Sequence, residues 1–288
     1  MKTVFLILNF KTYKDTIQLT HELLDNNLGE RKIVLVDNAS PNESFNVLSS
    51  EFGNDSRVDV ISSGDNGGYA KGNNFGLHYI KKYSPEYVCI INNDVHFSID
   101  TIEKLETQYK KIKDIGFLSP LQFLINEEHP LVFADLCRIP TFMDDILTIA
   151  NLNFSPQHKY QSNCEYQNLQ EVQILPGAFL FINYALFERL GFFEDRTFLF
   201  CEERFTAKKV KDAGLRSFLM LDERYIHAHS VTINSETSTE RQQRLLFDGK
   251  VLYTKLHRKY PLLKISLMYV VFYLRKWLKY VKGLVYGK

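Results

Sequence analysis

Several acidic and amide side chains stand just after apolar runs, where a ligand could reach them. Asp94 follows Ile90-Ile91-Asn92-Asn93. A carboxylate at the end of a strand suits Mg²⁺ or Mn²⁺, which bridges the phosphate oxygens of a donor. The competing reading is local, because Asn-Asn-Asp is also a turn and helix-cap sequence. Asp37-Asn38-Ala39-Ser40 ends a second apolar run. Its acid could bind a base or ribose, or the segment could cap a helix after Pro41 through Ser40 or Asn42. Asn66-Gly67-Gly68-Tyr69-Ala70-Lys71-Gly72-Asn73-Asn74 pairs two glycines with the opening of a helix. It offers N–H groups to a phosphate or ribose, or it is a plain glycine turn. Glu202-Glu203 follows Phe198-Leu199-Phe200. The pair is either a partner of a helix dipole or a general base that takes a proton from an acceptor hydroxyl. His227 and His229 share a strand face, as a metal ligand or as packed residues.

These residues need elements to hold them. Val4–Leu8, Ile33–Val36, Val58–Ile61 and Tyr87–Ile91 read as buried strands. Helices are expected from about Tyr13 to Asn27 and from Lys71 to Lys82. The alternation predicts an α/β fold with a mostly parallel central sheet flanked by helices. Ligands of such sheets sit beyond the carboxyl ends of the strands, and Asn9, Asp37-Asn38 and Asn92-Asn93-Asp94 all fall there. Residues 122–170 carry few periodic signals and no site is placed in them. Further on, Glu171–Ile182 reads as strand broken at Pro176-Gly177. Glu202–Ala213 reads as helix, and Arg216–Leu221 and Tyr225–His229 as two strands. From about Glu240 the chain reads as helix, broken at Pro261.

Composition narrows the function. The chain has 288 residues, of which 45% are hydrophobic, and a formal charge of +1, which argues against nucleic acid as a partner. The charge is uneven: Lys255 to Lys288 hold nine Lys or Arg and no acid, leaving residues 1–254 at a net −8. Cys89, Cys137, Cys164 and Cys201 form no CxxC pair and are expected as reduced thiols in a cytoplasmic protein. No signal peptide is visible.

Taken in order, the segments resemble the inverting family 2 glycosyltransferases of the GT-A fold, nearest to a bacterial rhamnosyltransferase-like branch. The resemblance rests on Val-Asp-Asn-Ala-Ser at 36–40, the 66–74 loop and Asn-Asn-Asp at 92–94. It also rests on Pro-Gly-Ala-Phe-Leu at 176–180, the aromatic run into Glu202-Glu203, and His227. It covers about residues 3–235. It implies Asp37 at the nucleotide base and Asn66, Gly68, Lys71 and Asn74 around the nucleotide, with Asn9, Asn38, Asn92 and Asn93 beside them. It implies Asp94 and His227 on Mn²⁺ or Mg²⁺, Gly177 and Ala178 under sugar or acceptor, and Glu203 as base with Glu202 as its alternative. The implied reaction moves a hexose from a dTDP- or UDP-sugar to a glycan or lipid-linked saccharide in surface polysaccharide synthesis. The family usually has Asp where Glu203 stands, and often a further acid where this chain has Phe205. That departure keeps a catalytically silent scaffold open as the alternative, alongside another sugar-nucleotide enzyme such as a nucleotidyltransferase.

The expected organisation is a catalytic domain over 1–240, with a nucleotide-binding half to 120 and an acceptor-binding half from 121, and a basic amphipathic helical region over 241–288. Residues 262–288 mix apolar residues, Tyr273, Trp277 and Tyr280 with Lys264, Arg275, Lys276, Lys279 and Lys282. Their longest uncharged run, Ile265–Leu274, is too short to span a bilayer. They are expected to lie on an anionic membrane, at the inner face of the plasma membrane, or else to pack on the catalytic domain or a dimer partner.

Overall fold

A computed structural model describes residues 2–26, 28–125, 129–130, 138–152, 166–228 and 238–286, the last five by backbone alone. The first strands are β1 (Thr3–Asn9), β2 (Lys32–Asp37), β3 (Val58–Ser62), β4 (Tyr87–Asn92), β5 (Val95–Phe97) and β6 (Ile115–Leu124). β7 (Leu169–Val172), β8 (Phe179–Asn183) and β9 (Arg216–His227) complete the set. One sheet joins them in the order β3-β2-β1-β4-β8-β6-β9-β5, with β7 added on β9. Pairing of β3, β2, β1 and β4 is parallel, as the nucleotide half predicted. β8, β5 and β7 then run antiparallel to their neighbours, so the sheet as a whole is mixed.

Alternation along the strands builds two apolar layers. Phe5, Ile7, Ile33, Leu35, Cys89 and Ile91 face one layer, and Val4, Leu6, Val34, Val36, Val88 and Ile90 the other. Period-2 exposure of opposite faces explains why these runs are apolar throughout. The helices covering them are α1 (Tyr13–Leu24), α2 (Ser44–Phe52), α3 (Tyr69–Ile80), α4 (Asp100–Tyr109), α5 (Phe142–Ile149), α6 (Tyr184–Arg189) and α7 (Glu202–Asp212). α1 buries Leu19 and Leu23, which are four residues apart on one face. α3 lies unusually close to the sheet. A Cβ on Gly72 would come 2.7 Å from Leu8 and one on Gly76 2.4 Å from Leu6.

The two strands expected at 216–221 and 225–229 are one, β9. Its pairing with β6 shifts register between Pro120 and Leu121, which accommodates the polar Asp222-Glu223 interruption. His229 lies outside the described residues, as do Cys137 and Cys164. α5 arises in the stretch that lacked periodic signals. Its start is a capping box, in which Thr141 Oγ1 accepts from the Asp144 N–H and the Asp144 carboxylate accepts from the Thr141 N–H.

Two C-terminal helices, α8 (Thr239–His257) and α9 (Pro261–Tyr286), break at Pro261 as expected. They form a third apolar cluster with α5 through Ile149, Phe247, Met268 and Phe272. Among the described residues no helix is long and apolar enough to cross a membrane.

Candidate active site

The carboxyl ends of β1, β2 and β4 lie side by side, with Asn9 paired to Asp37 and Leu8 to Asn92. The polar clusters found in the sequence therefore meet on one edge. Much of this polarity is spent within the protein. Asn9 is fully buried. Its amide donates to Asp37 Oδ2 (2.8 Å) and its carbonyl accepts from Thr16 Oγ1 (2.9 Å). Ser40 donates to Asp37 through its N–H (3.0 Å) and its hydroxyl (2.7 Å). Ser40 thus serves Asp37 and does not cap α2. Asn42 does not cap it either: Glu43 holds the N-cap position without a side-chain cap bond, and the Asn42 side-chain oxygen accepts from the Ser44 N–H (3.3 Å) and hydroxyl (2.7 Å). Asn93 Nδ2 donates to Thr12 Oγ1 (2.7 Å) and Thr16 Oγ1 (2.9 Å), tying the end of β4 to the start of α1.

Asn9 has both ends of its buried amide paired inside the fold and so braces the edge. Asn93 is half-buried, and its side-chain nitrogen braces the same edge. Asp37 is 1% exposed and accepts three bonds, one fewer than its carboxylate can take.

The 63–74 loop divides in the same way. Asn38 Nδ2 donates to Asn66 Oδ1 (3.1 Å) and to the Gly68 carbonyl (3.2 Å), so Asn38 clamps the loop. Gly68 takes φ 90°, and a Cβ there would lie 1.9 Å from the Phe198 carbonyl oxygen. The Tyr69 N–H donates to that same oxygen (3.0 Å). Glycine at 68 is required by contact with the Phe198 backbone. Asn74 likewise meets backbone. Its amide donates to the Phe193 carbonyl (3.0 Å) and its oxygen accepts from the Phe193 N–H (3.0 Å). The side-chain nitrogen of Asn66 and the exposed Lys71 are what this loop can offer a ligand. Lys71 makes a surface ion pair with Asp65 (2.7 Å), which is weakly held.

Asp94 and His227 come together. Antiparallel pairing of β5 with β9 sets Val95 against His227, and the Ala228 N–H donates to the Asp94 carbonyl (2.8 Å). The result is a distance of 3.1 Å between Asp94 Oδ1 and His227 Nε2. Gln122 approaches His227 Nδ1 at 3.0 Å and accepts from the buried Tyr225 hydroxyl (3.0 Å), fixing the imidazole plane. Asp15 of α1 lies near enough that burial and then the Asp94 charge push its carboxyl up. Among the described residues no group of three or more His, Cys, Asp or Glu converges as a metal cage. A carboxylate and an imidazole nevertheless fit Mg²⁺ or Mn²⁺ that takes its other ligands from a diphosphate and water.

Gly177 joins this edge to the acid pair. The Asn92 N–H donates to the Ala178 carbonyl (2.9 Å), and Tyr69 Oη donates to the Gly177 carbonyl (2.7 Å). The Gly177 N–H in turn donates to Glu203, and a Cβ on Gly177 would stand 2.8 Å from Glu203 Oε1. Burial pushes both carboxyls above their ordinary range, and in Glu202 the Glu203 charge adds to it. Glu202 Oε1 is buried with no hydrogen-bond partner, whereas Glu203 is half-buried on the Gly177 side. The backbone entering α7 is strained, with φ of 74° at Phe200 and 70° at Cys201. Strained backbone and raised carboxyls thus lie in one place.

Phe205, where the resembled family often has an acid, is buried against Tyr253 (5.3 Å) and His257 (5.7 Å) of α8. Packing accounts for its type. Tyr69, Gln122 and Tyr225 escaped the sequence reading. Tyr225 carried a signal, standing two residues before His227 on the same strand face. A separate cavity of about 700 Å³ lies between β5, β9 and α4, lined by Phe97, Thr101, Arg224 and Ile226. By strand alternation Ile226 points away from the His227 face, so this hollow is distinct from the site.

Comparison with known proteins places this geometry. Residues 5–130, from β1 to past β6, match the family model described as Glycosyl transferase family 2. The chain is 26% identical over 199 residues to the Low-salt glycan biosynthesis hexosyltransferase Agl10 of Haloferax volcanii. That alignment takes in 69% of this chain and spans 58% of the length of the curated relative. Among solved structures, S. aureus TarS in complex with UDP-GlcNAc superposes with a TM-score of 0.58 at 14% identity, over 96% of this chain and 72% of that one. GalNAc-T7 with UDP, GalNAc and Mn²⁺ gives 0.64 at 13%, over 89% and 48%. The mannosyltransferase PcManGT from Pyrobaculum calidifontis, with GDP-Man and Mn²⁺, gives 0.54 at 12%, over 100% and 81%. The fold is the GT-A fold, and the family match together with the hexosyltransferase relative supports a glycosyltransferase.

Proposed function

We propose that the chain transfers a hexose, with inversion, from a nucleotide-diphosphate sugar to a hydroxyl of a glycan or lipid-linked saccharide. One observation carries the reading. Asp94, in the turn between β4 and β5, and His227, at the end of β9, converge at 3.1 Å beside the edge where β1, β2 and β4 end. That edge is where ligands of open α/β sheets bind. The neighbours crystallised with UDP-GlcNAc, or with Mn²⁺ and a nucleotide, support the same class of donor.

Asp94 and His227 would hold Mn²⁺ or Mg²⁺, which when bound neutralises charge on the diphosphate as it leaves. Asp37, Asn66 and Lys71 would meet the nucleotide, and Gly177 and Ala178 would lie under the sugar. Glu203 takes the proton of the acceptor hydroxyl, which attacks the anomeric carbon from the face opposite the leaving diphosphate. The half-dry setting raises its carboxyl toward the operating pH, which suits a base. Glu202, with less of its surface exposed, is itself pushed up by burial and by the Glu203 charge.

Residues 262–288 would bring this site to an anionic membrane. α9 buries Met268 and Phe272 against α8. The opposite face exposes Leu263, Leu267, Val270, Leu274 and Trp277, the last 58% exposed. Lys264, Arg275 and Lys276 lie toward the protein side, level with lipid headgroups if that face enters the bilayer. Full-length chain is expected to sediment with phosphatidylglycerol vesicles and Trp277 fluorescence to shift to the blue. Sedimentation unchanged on removal of 262–288 would refute the contact, and a concentration-dependent dimer that leaves vesicles alone would assign the face to a second copy.

The function is tested by a donor screen for diphosphate release over dTDP-rhamnose, UDP-hexoses, UDP-N-acetyl sugars and GDP-mannose. One donor should turn over in the presence of Mn²⁺ or Mg²⁺, and Glu203→Gln should remove acceptor-dependent release. Undiminished transfer by that variant would exclude Glu203 as the base.

A further inference from the structure

Phe200 and Cys201 are consecutive left-handed residues that both carry a Cβ. Such backbone persists only where its surroundings over-determine it. The surroundings here come from the C-terminal helices. Gly249 of α8 faces the turn so closely that a Cβ would lie 3.0 Å from Cys201 Sγ, 3.1 Å from Cys201 Cβ and 3.4 Å from the Phe200 carbonyl oxygen. Just beyond the acid pair, Arg204 donates two bonds to the Asp145 carboxylate (2.8 and 2.9 Å). Arg258, just past the end of α8, donates to that carboxylate at 2.6 Å, and Lys250 lies 3.6 Å from it. Asp145 is 1% exposed, so this is a buried ion cluster in which geometry is strongly specified. Phe205 packs on Tyr253 and His257, as described above. Contacts with the C-terminal helices thus bracket Glu202-Glu203 on both sides in sequence.

We infer that α8 is a positioning element of the active site, in which Gly249 and the Asp145 ion cluster hold the Phe200–Cys201 turn that buries Glu202 and aims Glu203 at Gly177. The inference rests on the reading of Glu203 as base for its effect on rate, though not for its effect on the carboxyl pair. It also changes the organisation expected from the sequence, since a region from 241 onward is part of the catalytic support. Any side chain at 249 must push the turn away. The turn can then relax toward the right-handed region, which swings the acid pair out of its dry setting. Tyr69 from α3 and Cys201 face that pair, each pushed up in part by the charges of Glu202 and Glu203, and the Glu203 charge in turn raises Glu202.

The test uses the full chain, as wild type, Gly249→Ala and Gly249→Val. Glutamate side-chain carboxyls are followed by ¹³C NMR against pH, with the pair assigned through Glu202→Gln and Glu203→Gln. In Gly249→Val the raised titration of the pair should move toward the ordinary range by about one unit or more. kcat should fall about tenfold or more, while donor KM and Mn²⁺-dependent diphosphate affinity stay within about twofold. Gly249→Ala should show the same changes in smaller measure, and it carries the test if the valine variant does not fold. Titration and kcat unchanged in both variants would overturn the inference. So would kcat and diphosphate affinity falling together with the titration unmoved, which is the mark of general loosening. A moved titration in a chain that transfers no sugar would uphold the positioning of the pair and refute its role as base.

Discussion

The edge formed by β1, β2 and β4 and the acid pair at the start of α7 handle polar groups in opposite ways. At the sheet edge, Asp37, Asn9, Thr16, Asn93 and Thr12 satisfy one another in a continuous network. At α7, Glu202 keeps a buried oxygen without a partner, both carboxyls are pushed up, and two residues of strained backbone precede them. The first region is built to hold its shape before any ligand arrives, as a binding surface should. The second stores unfavourable energy where proton transfer is proposed. Stability and reactivity are therefore separated in space, joined by Gly177, which touches Tyr69, Glu203 and, through Ala178, Asn92.

The contrast can be broken by substitution. Asp94→Asn removes the carboxylate proposed for the cation, and transfer should fall on the order of 10³-fold or more in a diphosphate-release assay. A loss below about tenfold would place the cation elsewhere. Glu203→Gln should lower kcat by roughly 10²–10⁴-fold with donor KM little changed. In the wild type, activity should rise with pH through the raised carboxyl range, since the base must be unprotonated, and log kcat against pH should show this limb above 4.5, the ordinary value. A limb at the ordinary carboxylate value would contradict the dry setting.

Gly68→Ala tests the junction between the two regions. Its φ of 90° and the 1.9 Å approach to Phe198 leave no room for a methyl group. The expected cost is about 2–4 kcal/mol by denaturant titration. A cost below about 0.5 kcal/mol would show that the loop and the Phe198 backbone do not meet. Glu202→Gln should do the reverse and stabilise the chain, by roughly 2–4 °C in Tm at pH 8. The sign follows from linkage. The native carboxyl holds its proton above the ordinary value of 4.5, so the folded chain binds more protons than the unfolded one between 4.5 and the raised value. Stability of the wild type then falls as pH rises through that window, and the gain in the variant should grow with it. A variant less stable than wild type at pH 8 would mean that Glu202 is well satisfied.

The sheet edge was more legible in the sequence than the α7 region, for a physical reason. Strand ends follow from apolar runs, and Asn9, Asp37 and Asp94 fell into place from local pattern alone. The use made of each residue was harder to read. Asn74 and Gly68 look like ligand residues in sequence, and only contact with Phe193 and Phe198, far along the chain, shows that they hold backbone. His227 was legible as a motif, yet its meeting with Asp94 needed the β5–β9 pairing, which a three-residue strand does not announce. α5 fell in a stretch with few periodic signals, and the Thr141–Asp144 capping box at its start became evident only in the fold. The role of Gly249 had no local mark, because a glycine inside a helix says nothing of what lies across from it.

The most direct test of the account is calorimetric titration of UDP, dTDP and GDP into wild-type chain and Asp94→Asn, each with and without Mn²⁺. The account predicts that one diphosphate binds wild type about tenfold or more tightly with Mn²⁺, and that the gain disappears in Asp94→Asn. Binding that ignores the metal in the wild type, or that keeps its full metal dependence in the variant, would contradict it.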